Sequence, residues 1–338
     1  MELFSKMELL STAWYFIIGF CIFMYVLLDG FDLGVGILFP LFPKAHDRNV
    51  MMSTILPVWD GNQTWLVLGG ASLYGAFPLA FSLILPALYL PIFLMILALL
   101  FRGITFEFRL KAKRALRFWD NLFFLSSTIA TFSQGLVLGT FVKGYYITAG
   151  HSTLTYQLFS PFNVACGFSL LFGYALLAST WVIAKTTGEL QKQMYHVAFI
   201  CLCVVSFALF AISIWTPFVD PVIARIWFNP HYIYYLAFLP FTTGCLILFC
   251  FYCLYKRREY ILFWLCFGIF FCGYTGFGIS TFPYLIPRVI TVTDAAAPDS
   301  SLLFMLVGAL ILLPILLGYT FYSYYIFRGK IVDVIGYD

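Results

Sequence analysis

The chain has 338 residues, 62% of them hydrophobic and 10% charged, with a formal net charge of +4 and a mean hydropathy of +0.95. A soluble domain carries about 25% charged residues. The composition therefore excludes an ordinary globular enzyme and places the chain in a membrane, where its length divides into spans.

The opening stretch MELFSKMELLSTAW carries acids beside Lys6 and offers no small-residue cleavage site. The apolar run behind it is too long for a signal peptide, so it reads as a short tail and a retained first helix. Nine segments are apolar over about 20 residues or more. In chain order they are 12–40, 51–76, 79–101, 120–142, 161–184, 195–217, 232–255, 260–281 and 301–327. The first is long enough to tilt, and a tight turn at 75–78 separates the second from the third. Short connections predict an all-α, polytopic, single integral membrane domain over 1–338. The nine cysteines all fall in apolar runs and read as small buried hydrophobes. CLC at 201–203 and CFYC at 250–253 lack a second pair or a histidine at zinc-site spacing.

Basic residues orient the spans. Loops after odd-numbered spans, with the C-terminal tail, hold 15 of the 19 Lys and Arg residues. The opposite side has Lys6, Lys143, Arg225 and Arg288. The N-terminus is expected outside and the C-terminus in the cytoplasm. RLKAKRALR at 109–117 reads as a topogenic signal, with lipid headgroups as a secondary partner and no role in binding nucleic acid.

Few acids lie within the spans. Asp29 and Asp32 sit one helical turn apart in the first, and Asp60 sits in the second. Counting from the expected span ends, Asp32, Asp29 and Asp60 lie roughly 12, 17 and 14 Å deep at 1.5 Å per residue. The two helices are antiparallel neighbours, so the three carboxyls are expected at one level. A carboxylate at that depth costs at least about 2.5–3.5 kcal/mol unless it is protonated, paired or hydrated. Gly30 and Gly34 form a GxxxG face for close helix approach. Pro57 removes a helical hydrogen bond, and WDGNQTW at 59–65 then gathers Asp60, Asn62, Gln63 and Thr64 in one short piece of helix. The carboxyls could serve as interhelical hydrogen-bonding groups or as a proton or ion path; Asp32, nearer the headgroups, is the weaker candidate for a path. Glu107 and Asp120 are expected at interfaces, with Glu107 pairing Lys111 at i,i+4.

The four histidines, His46, His151, His196 and His231, fall in loops or at span ends. Transmembrane haem is usually held by axial His or Met, and scattered methionines such as Met95 and Met305 read as packing. No haem is expected on this chain. There is no phosphate loop, dinucleotide fingerprint or metalloprotease motif. The sequon at 62–64 lies inside a span, which excludes glycosylation there.

DGFDLGVG at 29–36 and WDGNQTW at 59–65 resemble the two signature segments of subunit II of cytochrome bd-type quinol oxidases. FRGITFEFR at 101–109, WDN at 119–121, SPF at 160–162, TTGEL at 186–190 and FPYLIP at 282–287 follow in matching order, so the resemblance covers nearly the whole chain. It implies nine helices as two four-helix bundles plus one, in a bacterial cytoplasmic membrane. It implies a haem-bearing partner, subunit I, holding haems b and d and the quinol-oxidising loop. The complex would oxidise membrane quinol and reduce oxygen to water, electrogenically and without pumping. A structural quinone and a small single-span third subunit occur in some members of the family.

Carried over by motif, Asp60 resembles an acid on a proton route toward the haems, and Asp29 a second acid near it. Trp65 resembles a tryptophan near the hydrophobic oxygen access. Arg102 and Glu107 match pattern positions expected to be structural, as are Asn62 and Gln63. The loop at about 218–231 is short beside versions in some relatives, so the resemblance does not carry over any contact those longer loops make with subunit I. Two other readings compete: a proton-coupled secondary transporter, which predicts a substrate cavity and broken helices in matching halves, and a purely structural membrane partner.

Overall fold

Two of the apolar runs break beside a proline, which lacks the donor an interior helical position needs. The computed structural model describes residues 6–112, 115–144, 146–147, 154–155, 157–231 and 233–331. Lys113, Arg114 and His151 lie outside them, as does the tail beyond 331. The first apolar run is one long helix, α1 (Lys6–Leu38), closed by a 3-10 turn at Phe39–Leu41. The second is broken at Pro57 into α2 (Ala45–Ile55) and α3 (Trp59–Ala76). The third is broken at Leu88, two residues past Pro86, into α4 (Pro78–Ala87) and α5 (Tyr89–Lys111).

The remaining runs are α6 (Leu116–Lys143), α7 (Pro161–Lys185), α8 (Gly188–Val219), the short α9 (Pro221–Trp227), α10 (Ile233–Tyr255), α11 (Glu259–Thr281) and α12 (Asp299–Ile326). Two small antiparallel pairs complete the described residues: β1 (Tyr146–Ile147) with β2 (Leu154–Thr155), and β3 (Tyr284–Ile286) with β4 (Ile290–Thr291). Among the described residues, eight helices are long and apolar enough to cross a membrane. The run expected as the second span supplies none of the eight: its longest unbroken piece, α3, has 18 residues and carries the polar cluster of 59–65.

α1 lies at the centre, against α3, α6, α7 and α11. Small residues set that closeness. A Cβ at Gly34 would meet the Tyr174 carbonyl carbon at 2.6 Å and the Ala178 Cβ at 2.7 Å, so α1 touches the backbone of α7. A Cβ at Gly135 on α6 would meet Gly167 Cα on α7 at 2.5 Å. Around these contacts Phe31 stacks on Trp181 at 4.5 Å, and Trp59 stacks on Phe106 at 4.6 Å. Seven of the cysteines are buried, but Cys203 and Cys245 are exposed on α8 and α10. That corrects the expectation of nine buried thiols: in an apolar solvent a small hydrophobe gains nothing by facing inward.

Ion pairs fasten the helix ends. Asp120 on α6 pairs with Arg109 of α5 at 2.6 Å and with Arg48 of α2 at 3.2 Å. Lys185 donates to the Phe327 carbonyl that ends α12 and lies 4.7 Å above the Trp181 ring. Lys330 reaches Glu259 at 2.6 Å. At the other end, Arg288 pairs with Asp220 and donates to the Lys143 carbonyl at 2.8 Å, joining the β3–β4 turn to α6 and α9.

Candidate functional site

The first-helix acids are both fully buried, at 0% exposure, because the α1 face that carries them is covered on every side. Asp29 receives a charged hydrogen bond of 2.5 Å from Arg102 of α5, itself 0% exposed. Charge-assisted bonds of this kind are about twice as strong as neutral ones. Burying the pair is still costly, since each ion leaves water. Asp32 has no arginine in contact. Asn62 of α3 donates to its Oδ2 at 2.8 Å and to the Leu28 carbonyl at 3.2 Å. Tyr324 of α12 donates in turn to Asn62 Oδ1 at 2.9 Å.

A second tyrosine–amide arrangement closes the Asp29 side. Tyr25 stands one turn before Asp29 on α1 and is buried with it. Gln134 of α6 donates to the Tyr25 hydroxyl at 2.8 Å and accepts from the Tyr174 hydroxyl of α7 at 2.7 Å. Six helices, α1, α3, α5, α6, α7 and α12, thus converge on one polar centre. Among the described residues, Asp29 Oδ2, Asp32 Oδ1 and Arg102 Nε and Nη1 are buried without a hydrogen-bond partner. Such orphaned groups deserve a physical reason, because each costs about 1–3 kcal/mol or more when charged.

Asp60 shares the level but not the site. It lies two residues before Asn62, about 3 Å along the α3 axis at 1.5 Å per residue. Its side chain is exposed on this chain, outside the buried centre that holds Asp29 and Asp32. The reason is helical phase. Asn62, Trp65, Gly69, Ser72 and Ala76 are the buried stripe of α3. That turns Asp60, Thr64, Val67, Ala71 and Tyr74 outward. A carboxylate on an outward, apolar stripe of a spanning helix is costly against lipid.

The other expected residues separate. Trp65 is 1% exposed and meets Phe20 edge-on at 5.7 Å, so it is a core residue between α3 and α1. Glu107 and Lys111 form the expected i,i+4 pair, at 3.9 Å with both side chains more than 65% exposed. Gln63 Nε2 is buried without a hydrogen-bond partner among the described residues. Arg102 is far more than a pattern position: it is the cation of the buried centre. Sequence reasoning missed Tyr25, Gln134, Tyr174 and Tyr324. The one available signal was Gln134, an uncharged amide isolated in the apolar run 120–142. No group of three or more His, Cys, Asp or Glu residues able to hold a metal ion occurs among the described residues.

Comparison with known proteins gives a consistent picture. The family model described as cytochrome bd terminal oxidase subunit II matches residues 10–327. Cytochrome bd ubiquinol oxidase subunit 2 of Bacillus subtilis (strain 168) is 27% identical over 352 positions, covering 96% of this chain and 98% of that protein. Cytochrome bd-I ubiquinol oxidase subunit 2 of Escherichia coli (strain K12) is 28% identical over 195 positions, covering 55% of this chain and 52% of the relative. In fold, a chain from the structure of bd oxidase from Geobacillus thermodenitrificans superposes with a TM-score of 0.75 at 16% identity, covering 94% of this chain and 98% of that one.

Proposed function

Because this chain belongs to the cytochrome bd terminal oxidase subunit II family, we propose that it serves as the haem-free half of a membrane quinol:oxygen oxidoreductase. The haem-bearing subunit I would oxidise quinol and reduce oxygen, with haems b and d on that partner. Oxygen reduction consumes protons, and this chain would help to supply them. The family match over nearly the whole chain carries the assignment of the complex.

The observation behind the proton role is the outward Asp60. An acid on an apolar spanning face becomes affordable when protein covers it, so α3 is proposed to face subunit I, with Asp60 passing protons toward the haems. Asp29, Asp32 and Arg102 form the charged centre behind it. Trp65 is proposed to border the oxygen access. The basic bias supports an N-outside, C-cytoplasmic chain in a bacterial inner membrane. Nine crossings follow if α2 and α3 together make one. A structural quinone and a small third subunit remain compatible with this arrangement.

Asp60→Asn keeps shape and most hydrogen bonding but removes titration. The complex is expected to assemble with its haems while turnover and proton uptake fall sharply. Full coupled activity in that variant would return Asp60 to a structural role. The transporter reading is tested in the same preparation, since it requires no haem-bearing partner to co-purify.

A further inference from the structure

The polar centre contains one cation and two carboxyls, all at 0% exposure. Among the described residues, the charged groups at this centre are these three alone, with Tyr25, Tyr174 and Tyr324 as the remaining titratable neighbours. An unpaired ion in a low-dielectric interior neutralises itself rather than persist. Arg102 spends its charge on Asp29 at 2.5 Å. Charge balance therefore leaves one carboxyl of the two to be neutral. Geometry selects which: each carboxyl has one oxygen without a partner among the described residues, but the guanidinium sits on Asp29, whereas Asp32 Oδ2 receives only the neutral Asn62 amide and its Oδ1 is left for the proton.

We propose that Asp29, Asp32 and Arg102 form a proton store of capacity one, that the stored proton sits on Asp32 Oδ1, and that the Tyr324–Asn62 pair is its latch. The proposal rests on the oxidase reading and adds to it a fixed site and its gate. Asn62 is fully committed: its amide nitrogen donates to Leu28 and Asp32, and its oxygen accepts from Tyr324. A committed amide cannot relay a proton without changing tautomer, so in this arrangement it insulates. Beyond it lies a crevice at the α2–α3 break, lined by Pro57, Gly61, Asn62, Thr320, Ser323 and Tyr324, with a volume of about 10 Å³. That is room for about one water, and Thr320, Ser323 and Tyr324 supply the polar partners it needs. Rotation of Tyr324 frees Asn62 Oδ1 and opens a hydrated contact to Asp32. Only O–H bonds form and break in the exchange.

The test is infrared spectroscopy of the assembled, haem-loaded oxidase transferred to heavy water. The resting complex is expected to show the C=O stretch of a neutral carboxylic acid that deuterates slowly. Asp32→Asn should remove that band. It leaves Arg102 paired with Asp29, so assembly is kept. Tyr324→Phe should keep the band and speed its deuterium shift about tenfold, the rate equivalent of one hydrogen bond. A band unchanged in Asp32→Asn overturns the store. An exchange rate unchanged in Tyr324→Phe overturns the latch. The haem spectrum of each sample reports independently on the oxidase reading: preparations lacking haem would count against that reading rather than against the store.

Discussion

Replacing Arg102 by Gln removes the only guanidinium that contacts the buried centre among the described residues. Two limits bracket the cost. If Asp29 stays ionised, an uncompensated buried charge remains, at about 3–5 kcal/mol. If Asp29 takes up a proton, the loss shrinks to that of a hydrogen bond to a charged group, about 1.5–3 kcal/mol. Either is a large share of a typical stability of about 5–15 kcal/mol. Arg102→Gln should therefore lower the yield of assembled complex and its thermal midpoint in detergent. Asp29→Asn with Arg102→Gln should recover part of the loss, because Asp32 can stand neutral alone. The assay is the haem-containing fraction by size exclusion, followed by thermal unfolding, for the single and double variants. Wild-type yield and midpoint in Arg102→Gln would refute the reasoning. So would a double variant clearly worse than the single one.

Gly34→Ala should block assembly, since the new methyl meets backbone of α7; overpacking of about 1–3 kcal/mol is expected, read as loss of the complex from membranes. Glu107→Ala removes only an exposed pair and should shift the thermal midpoint by an amount equivalent to within about 0.5 kcal/mol. Trp65→Ala empties a fully buried site at about 3–5 kcal/mol; in the surviving complex, oxygen affinity should change without a comparable loss of proton uptake. A reporter fused after Asp338 should behave as cytoplasmic, and a periplasmic signal would overturn the proposed orientation.

Much of the helical framework was legible because membrane spans announce themselves by length and hydropathy alone. The breaks were less so. Pro57 and Pro86 interrupt their runs, yet Pro217, Pro240 and Pro314 sit inside continuous α8, α10 and α12. Spanning helices tolerate proline where neighbours or local adjustment satisfy the freed groups, and sequence does not show those neighbours. The shared level of α1 and α3 was also legible: Asn62 does reach Leu28 and Asp32, as antiparallel neighbours require. Facing was not. Depth follows from residue number, but whether Asp60 points in or out depends on which stripe of α3 meets α1. The Arg102–Asp29 pair was hidden for the same reason, since the partners are 73 residues apart and only the fold brings α5 to α1. The tyrosine–amide pairs join four further helices, and only their amides, Asn62 and Gln134, stood out in the sequence.

The most direct test of the account is an optical spectrum of the tagged chain purified from membranes with and without the haem-bearing subunit. Co-expression should yield a complex with b- and d-type haem absorbance and quinol-dependent oxygen uptake, and the chain purified alone should lack a Soret band. Stoichiometric haem on the isolated chain, or a co-expressed preparation with no haem-bearing partner attached, would contradict it.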